Sequence, residues 1–247
     1  MSAKRLYVET SLVEGQTLVL DSNEAHYLGR VMRSRSGDTV YLFNGDGRQF
    51  PAVIRTLTKR TVTLEVASPV AGLREPDVAL SLALALSRNE KMDLAIQKAV
   101  ELGVASFQPI IVSRSVMQLD AKRIEKRMQH WHAIIVAATQ QCGRSALMRI
   151  APPTSLDALL VETPVDHLRL IADPEAANSL STVLQNPLSE SAVNLIVGPE
   201  GGFSDEEMQA ACSAGFRPIS AGPRVLRTET AAIALVAAIQ CAIGDWR

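Results

Sequence analysis

Two glycine-bearing stretches carry residue types that could do chemistry. The first, LIVGPEGGFSDEE, runs from Leu195 to Glu207. An apolar run enters the turn Gly198-Pro199-Glu200-Gly201-Gly202, and Phe203, Ser204 and three acids follow. Glycine turns between a strand and a helix present bare backbone N–H groups and a helix N-terminus, which suit anions. Glu200 within the turn argues against phosphate by like-charge repulsion. The pattern G-x-x-x-x-G-K-[ST] is absent, and no G-x-G-x-x-G follows a strand-like run. The spacing from Ser204 to Glu207 matches a capping box, so Asp205, Glu206 and Glu207 read as the start of a helix, where negative charge complements the dipole. Glu200 has no such role.

Glycines with one carboxylate suit a flat ring, a ribose or a positive centre. S-adenosylmethionine, with a sulfonium and an ammonium, has those features. The competing reading is a tight structural turn in which Glu200 pairs with a nearby arginine. The second stretch, AGPRVLRTETAAIALVAA, runs from Ala221 to Ala238. Gly222 permits close backbone approach to a ligand. Thr228 or Thr230 is expected to cap the helix that follows. Arg224 and Arg227 close an otherwise apolar segment, and charge there calls for a phosphate, a carboxylate partner or a developing anion. Both turns follow late strands, so they are expected side by side at the carboxyl edge of a parallel sheet.

The elements that must position these turns are legible as patterns. Strand-like runs occupy Val40–Phe43, Ala52–Leu57 and Thr61–Val66, with Asn44-Gly45-Asp46-Gly47 and Lys59-Arg60 at the connections. They predict a small barrel or sheet, decorated by Arg30, Arg33, Arg35, Arg55, Lys59 and Arg60. The segment SPVAGLREPD, with two prolines and a glycine, reads as a linker. From about residue 76 strands and helices alternate. VALSLALALS, FQPIIVS, LRLIAD, NLIVGPE and FRPISA read as strands. Helices are expected over Glu90–Leu102, stopping at Gly103, over Ala121–Cys142, and over Thr230–Ile243. This alternation predicts an α/β domain with a largely parallel sheet.

Composition sets the class. With 247 residues, 47% hydrophobic and 21% charged, the chain is an ordinary globular protein of one large or two modest domains. A net charge of −1 conceals an asymmetry. Seven Lys/Arg between Arg114 and Arg149 face two acids, whereas ten acids from Asp157 to Glu207 face Arg169 alone. That polarity suits a nucleic-acid binder with one basic face, or two solvated helix faces. Cys142, Cys212 and Cys241 form no CxxC pair, and His130 and His132 point to different sides of a helix, so no metal site is expected. The N-terminus lacks a signal-peptide core, and the most apolar stretch, Ala231 to Ile243, is shorter than the roughly 20 residues a membrane span needs. A cytosolic protein with no membrane partner is expected.

GPEGGFSDEE followed by GPRVLRTETAA resembles the C-terminal signature of the SPOUT methyltransferases, and more specifically the ribosomal RNA small-subunit methyltransferase E family. HYLGRVMRSRSGD, SRNEKMDLAIQKAVELGV and the Trp131-centred helix ending in QQCGR extend the resemblance along nearly the whole chain. One departure is ISAGPR, where the family pattern has a leucine-glycine pair ahead of GPR; Ser220 and Ala221 are small enough to keep the site.

The resemblance implies a PUA-like β domain over 1–72 that helps hold RNA, and over 73–247 a SPOUT methyltransferase domain tied in a trefoil knot. It implies S-adenosylmethionine as cofactor, no metal, a homodimer joined partly through the last helix, and 16S ribosomal RNA of the small subunit as substrate. The methyl acceptor is N3 of one uridine. The cofactor residues carried over are Ile171, Ala172, Val197, Gly198, Pro199, Glu200, Gly201, Gly202, Ser220, Ala221, Gly222, Val225, Leu226, Arg227, Thr228 and Thr230. Arg227, with Arg144 from the other subunit, is the candidate support for charge on the uracil, and Glu229 or Glu200 the candidate base. Phosphate contacts are assigned to Arg30, Arg33, Arg35, Lys91, Lys122, Arg123, Lys126 and Arg127. Cys142 as a nucleophile is set aside, because alkylation at N3 needs no covalent adduct. Two alternatives remain: methyl transfer to a 2′-hydroxyl or to transfer RNA, and an RNA-binding assembly factor without activity.

Overall fold

A computed structural model of the protein describes residues 4–72, 75–115, 121–185 and 192–246. The chain divides into two units, one of Met1–Glu75 with Thr139–Leu147 and one of Pro76–Ala138 with Met148–Arg247. The expected linker spans the first junction, and its residues 73 and 74 lie outside the described residues. Thr139–Leu147 rejoins the first unit, which no linear reading of the sequence anticipated.

In the first unit the strands are β1 (Arg5–Tyr7), β2 (Thr17–Leu20), β3 (Thr39–Phe43), β4 (Arg48–Leu57), β5 (Val62–Val66) and β6 (Val70–Ala71). Their order is β1-β3-β4-β5-β2, with β6 on β4. The β1–β3 pair is parallel and the others antiparallel, so the sheet is mixed. Alternation along β4 and β5 sends Phe50, Ala52, Ile54, Val62, Leu64 and Val66 into one core with Leu28, Val40 and Leu42. Asp21 caps α1 (Ser22–His26) by accepting from the Asn23 N–H, and a π-helical turn over Tyr27–Val31 follows. Arg33 just beyond it takes a left-handed φ of 51°.

The returning segment is pinned by polar contacts. The Gln140 side chain accepts from the Tyr7 N–H at 2.9 Å and donates to the Tyr27 hydroxyl at 2.6 Å. Arg5 donates to the Arg144 carbonyl at 2.6 Å and to the Ser145 hydroxyl at 3.0 Å, its guanidinium over the Phe43 ring. Burial pushes the Arg5 pKa down.

In the second unit β7 (Ala79–Ala85), β8 (Ser106–Ile111), β9 (Arg149–Ile150), β10 (Thr154–Ser155), β11 (Leu168–Ala172), β12 (Ala192–Val197) and β13 (Arg217–Ile219) form one sheet. All its pairs are parallel, in the order β10-β8-β7-β12-β11-β13 with β9 beside β8. The central strands β7 and β12 are buried on both faces, which is why their sequences are almost continuously apolar. The helices are α2 (Asn89–Glu101), α3 (Ala121–Cys142, whose residues from Thr139 on belong to the first unit), α4 (Leu156–Glu162), α5 (Leu180–Leu184), α6 (Asp205–Ser213) and α7 (Thr228–Ile243). On one face Leu156 and Leu160 of α4 and Ala211 of α6 pack with Ala83, Ala85, Ile110, Ile171 and Ile196 of the sheet.

Helix α2 stops where the sequence implies, with Gly103 at φ +81° just beyond its end. Helix α7 packs against α2, and the buried Gln240 amide donates to the Leu102 carbonyl at 2.7 Å. The start of α7 departs from expectation. Arg227 is its N-cap, with no side-chain cap, and Thr228 is already helical. Neither threonine therefore caps the helix. Thr228 is instead buried, and its hydroxyl finds no hydrogen-bond partner.

Candidate functional site

Parallel strands bring their carboxyl ends to one edge, and there β11, β12 and β13 open into a cavity of ≈ 580 Å3. That lies within the range of pockets that enclose a cofactor-sized ligand. The two glycine turns do not lie side by side as expected, because β11 pairs with both β12 and β13 and separates them. The end of β11 thus becomes a third wall, Ala172 to Glu175.

The first wall is the β12–α6 turn. Ser204 accepts from the Glu207 N–H at 3.2 Å, and Glu207 Oε2 accepts from the Ser204 N–H at 2.8 Å, completing the anticipated capping box. The other Glu207 oxygen accepts from the Ser113 N–H at 2.6 Å. The Glu206 carboxyl is held below the usual carboxylate range by its own backbone N–H, then by the Ser204 hydroxyl, with Arg114 adding attraction. These acids are occupied by the helix start. Glu200 is separate: it faces the cavity and accepts from the Lys91 ammonium. Its partner is thus a lysine from α2, not an arginine of the second turn. Gly198 holds the Phe203 ring where a Cβ would be only 2.8 Å away, and Gly202 takes φ +71°. Arg114 donates to the Gly201 carbonyl at 2.7 Å and closes this wall.

The second wall is the β13–α7 segment, contributing Ala221, Gly222, Arg224, Val225, Leu226 and Thr228. Of the residues carried over from the resemblance, these join Ala172 and Val197 to Gly202, Arg224 being additional. Ile171, Ser220, Arg227 and Thr230 do not line the cavity. Ile171 is fully buried in the sheet, and the Ser220 hydroxyl donates to the Asn178 carbonyl at 3.3 Å. Arg227 is exposed, and among the described residues its guanidinium has no hydrogen bond or ion pair. Glu229, in the first turn of α7, is buried, and its Oε2 lacks a hydrogen bond.

Sequence reasoning missed Asp173, Pro174, Glu175, Phe203, Met208 and Arg114. Asp173 to Glu175 directly follow the strand end it did identify, and that adjacency was the available signal. Arg114 had none, since only the fold brings it to the turn.

Several expected roles meet a different environment. Arg144 is 5% exposed, and its guanidinium donates to Glu75 at 2.6 Å within the first unit. Burial and that pairing give it a structural occupation rather than an open, reacting one. Lys91 meets carboxylates instead of presenting a free ammonium to phosphate. The Arg127 guanidinium donates to Asn89 and lies 5.8 Å from the Trp131 ring centre; burial lowers its pKa against the attraction of Asp93. Arg30, Arg33 and Arg35, and on α3 Lys122, Arg123 and Lys126, are exposed. The Cys142 thiol donates weakly to the Thr139 carbonyl at 3.7 Å, as a packed thiol does.

The cavity's lining holds four carboxylates, Asp173, Glu175, Glu200 and Asp205, against two guanidiniums, Arg114 and Arg224. That balance suits a cationic ligand. The buried Thr228 hydroxyl supplies an unsatisfied polar group at its wall. No group of three or more His, Cys, Asp or Glu able to hold a metal occurs among the described residues.

Known proteins agree with this architecture. The family model for an RNA methyltransferase domain matches residues 74–240, and that for an RNA methyltransferase PUA domain matches residues 20–67. The ribosomal RNA small subunit methyltransferase E of Buchnera aphidicola is 31% identical over 98% of this chain and 97% of its own length. The enzyme of the same name from Neisseria gonorrhoeae, solved bound to S-adenosylmethionine, superposes with a TM-score of 0.90 at 32% identity, covering 99% of this chain and 100% of that one. A Legionella pneumophila protein solved with bound S-adenosylmethionine gives 0.90 at 38% identity, with the same coverage.

Proposed function

The chain belongs to the ribosomal RNA small-subunit methyltransferase E family, and from that premise we propose that it methylates N3 of one uridine of 16S ribosomal RNA in the small subunit, using S-adenosylmethionine. The observation that carries the cofactor is the acid-rich cavity with the unpartnered Thr228 hydroxyl in its wall. When bound, the cofactor supplies a methyl group on a cationic sulfur.

Ala172, Val197 to Gly202, Ala221, Gly222, Val225, Leu226 and Thr228 hold the cofactor, with backbone approaching closely at the glycines. Uridine N3 attacks only as its proton leaves. Glu229 accepts that proton on Oε2, leaving N3 free to take the methyl group that the bound cofactor would supply. Arg227, exposed and unpaired among the described residues, supports the negative charge that develops on the uracil. Arg30, Arg33, Arg35, Lys122, Arg123 and Lys126 contact RNA phosphates, which position the substrate without reading its sequence.

The first unit, Met1–Glu75 with Thr139–Leu147, is the RNA-holding PUA-like part. The family's trefoil knot belongs to this proposal too; the closure of Val197–Asp205 and Ala221–Thr228 on one cavity supports it. A homodimer is supported by α7, where Thr230, Ala234, Ala238, Cys241 and Ala242 leave a stripe of small residues exposed at helical spacing. No helix among the described residues is long and apolar enough to cross a membrane; a cytoplasmic location is the reading that a ribosomal RNA substrate supports.

Calorimetry with S-adenosylmethionine tests the cofactor assignment. Saturable binding that weakens several-fold in Thr228→Val supports it, since a polar ligand group would lose its partner. No binding contradicts it.

A further inference from the structure

Lys91 occupies the first turn of α2, which follows β7 at the same sheet edge as the cavity loops. β7 pairs with β12, so α2 begins beside the β12–α6 turn. The Lys91 ammonium donates to Glu200 Oε1 and stands 3.9 Å from Glu229 Oε2. One cation therefore joins the two segments that wall the cavity, the glycine turn and the start of α7. Lys91 itself does not line the cavity, and its side chain is 26% exposed.

The two carboxylates it joins are not equivalent. The Glu200 side chain is 49% exposed and hydrogen-bonded to the ammonium. The Glu229 side chain is 12% exposed, and its Oε2, although within ion-pair range, receives no hydrogen bond. A buried carboxylate oxygen without a donor is costly unless a ligand supplies one. Lys91 thus spends its hydrogen bond on Glu200 and its electrostatic attraction on both. Without it the two carboxylates, both drawn to one ammonium, would repel each other.

Resting on the methyl-transfer reading above, we infer that Lys91 is a positioning residue for the proton acceptor. It anchors Glu200 to α2 and holds the Glu229 carboxylate, whose buried Oε2 lies 3.9 Å from the ammonium and has no hydrogen bond, for the step in which it takes the N3–H of the substrate. Lys91 acts through Glu229 and touches neither cofactor nor uracil.

The experiment compares Lys91→Met, Lys91→Arg, Glu229→Gln and the Lys91→Met/Glu229→Gln double variant in the full-length protein. Methyl transfer to small ribosomal subunits gives kcat and KM, and calorimetry gives cofactor affinity and shows that each variant folds. Lys91→Met is expected to lower kcat by about 10²-fold or more, the scale of lost general-base catalysis, while KM for the cofactor barely moves. Lys91→Arg, which keeps the charge, recovers most of that loss. The double variant turns over no more slowly than Glu229→Gln alone. A Lys91→Met effect confined to KM, or one that persists undiminished in the Glu229→Gln background, overturns the inference and leaves the methyl-transfer reading standing. Wild-type turnover in Glu229→Gln removes the acceptor itself, and the inference with it.

Discussion

The ring of Phe203 fills the space that a side chain on Gly198 would need: a Cβ there would lie 2.8 Å from the ring carbon Cε2. The glycine therefore has a packing reason in addition to any approach of ligand to backbone. Phe203 packs in turn against the core formed by the sheet, α4 and α6, so the ring has little room to retreat.

Gly198→Ala should accordingly cost about 1–3 kcal/mol of stability, the usual price of an overpacked site. It should also weaken S-adenosylmethionine, because the displaced segment is the cavity's wall. Thermal unfolding and calorimetry check both; an unchanged midpoint with unchanged affinity would show that the ring is free to move.

Arg227→Ala isolates a chemical contribution. The side chain is exposed and unpaired among the described residues, so its removal should change stability by no more than about 0.5 kcal/mol. Turnover should fall by roughly 10²–10³-fold, the scale of losing one preorganised group at a developing anion. Near-normal kcat would take Arg227 out of the mechanism.

Arg144→Ala should show the opposite profile. It removes a guanidinium that is 5% exposed and bonded to Glu75. Hydrogen bonds to charged groups suggest a cost of about 1.5–3 kcal/mol, read as a lower denaturant midpoint, with turnover per folded molecule largely kept. Lost turnover at an unchanged midpoint would return Arg144 to the reaction.

Much of this was legible in the sequence, for identifiable reasons. The capping box at Ser204 and Glu207 is a local pattern, and local geometry satisfies it without help from the rest of the fold. The parallel strands were visible because burial on both faces demands continuous apolar runs such as VALSLALALS. Helix α3 was legible end to end from its periodicity. Tertiary relationships were not. Nothing near Lys91 in sequence announces Glu200, 109 positions away. Strand order was equally hidden, since the insertion of β11 between β12 and β13 depends on pairing partners and not on residue type. The very short β9 and β10 carry too few residues for any pattern. Thr228 was misread as a cap because threonine favours that position, whereas the helix begins one residue earlier and buries it.

The most direct test of the account is to incubate the purified protein with labelled S-adenosylmethionine and small subunits from cells lacking it, then map the 16S ribosomal RNA by mass spectrometry. The account predicts one new methyl group, on N3 of a single uridine, absent when Glu229→Gln replaces the wild type. No transfer, or a methyl group on a ribose 2′-hydroxyl, would contradict it.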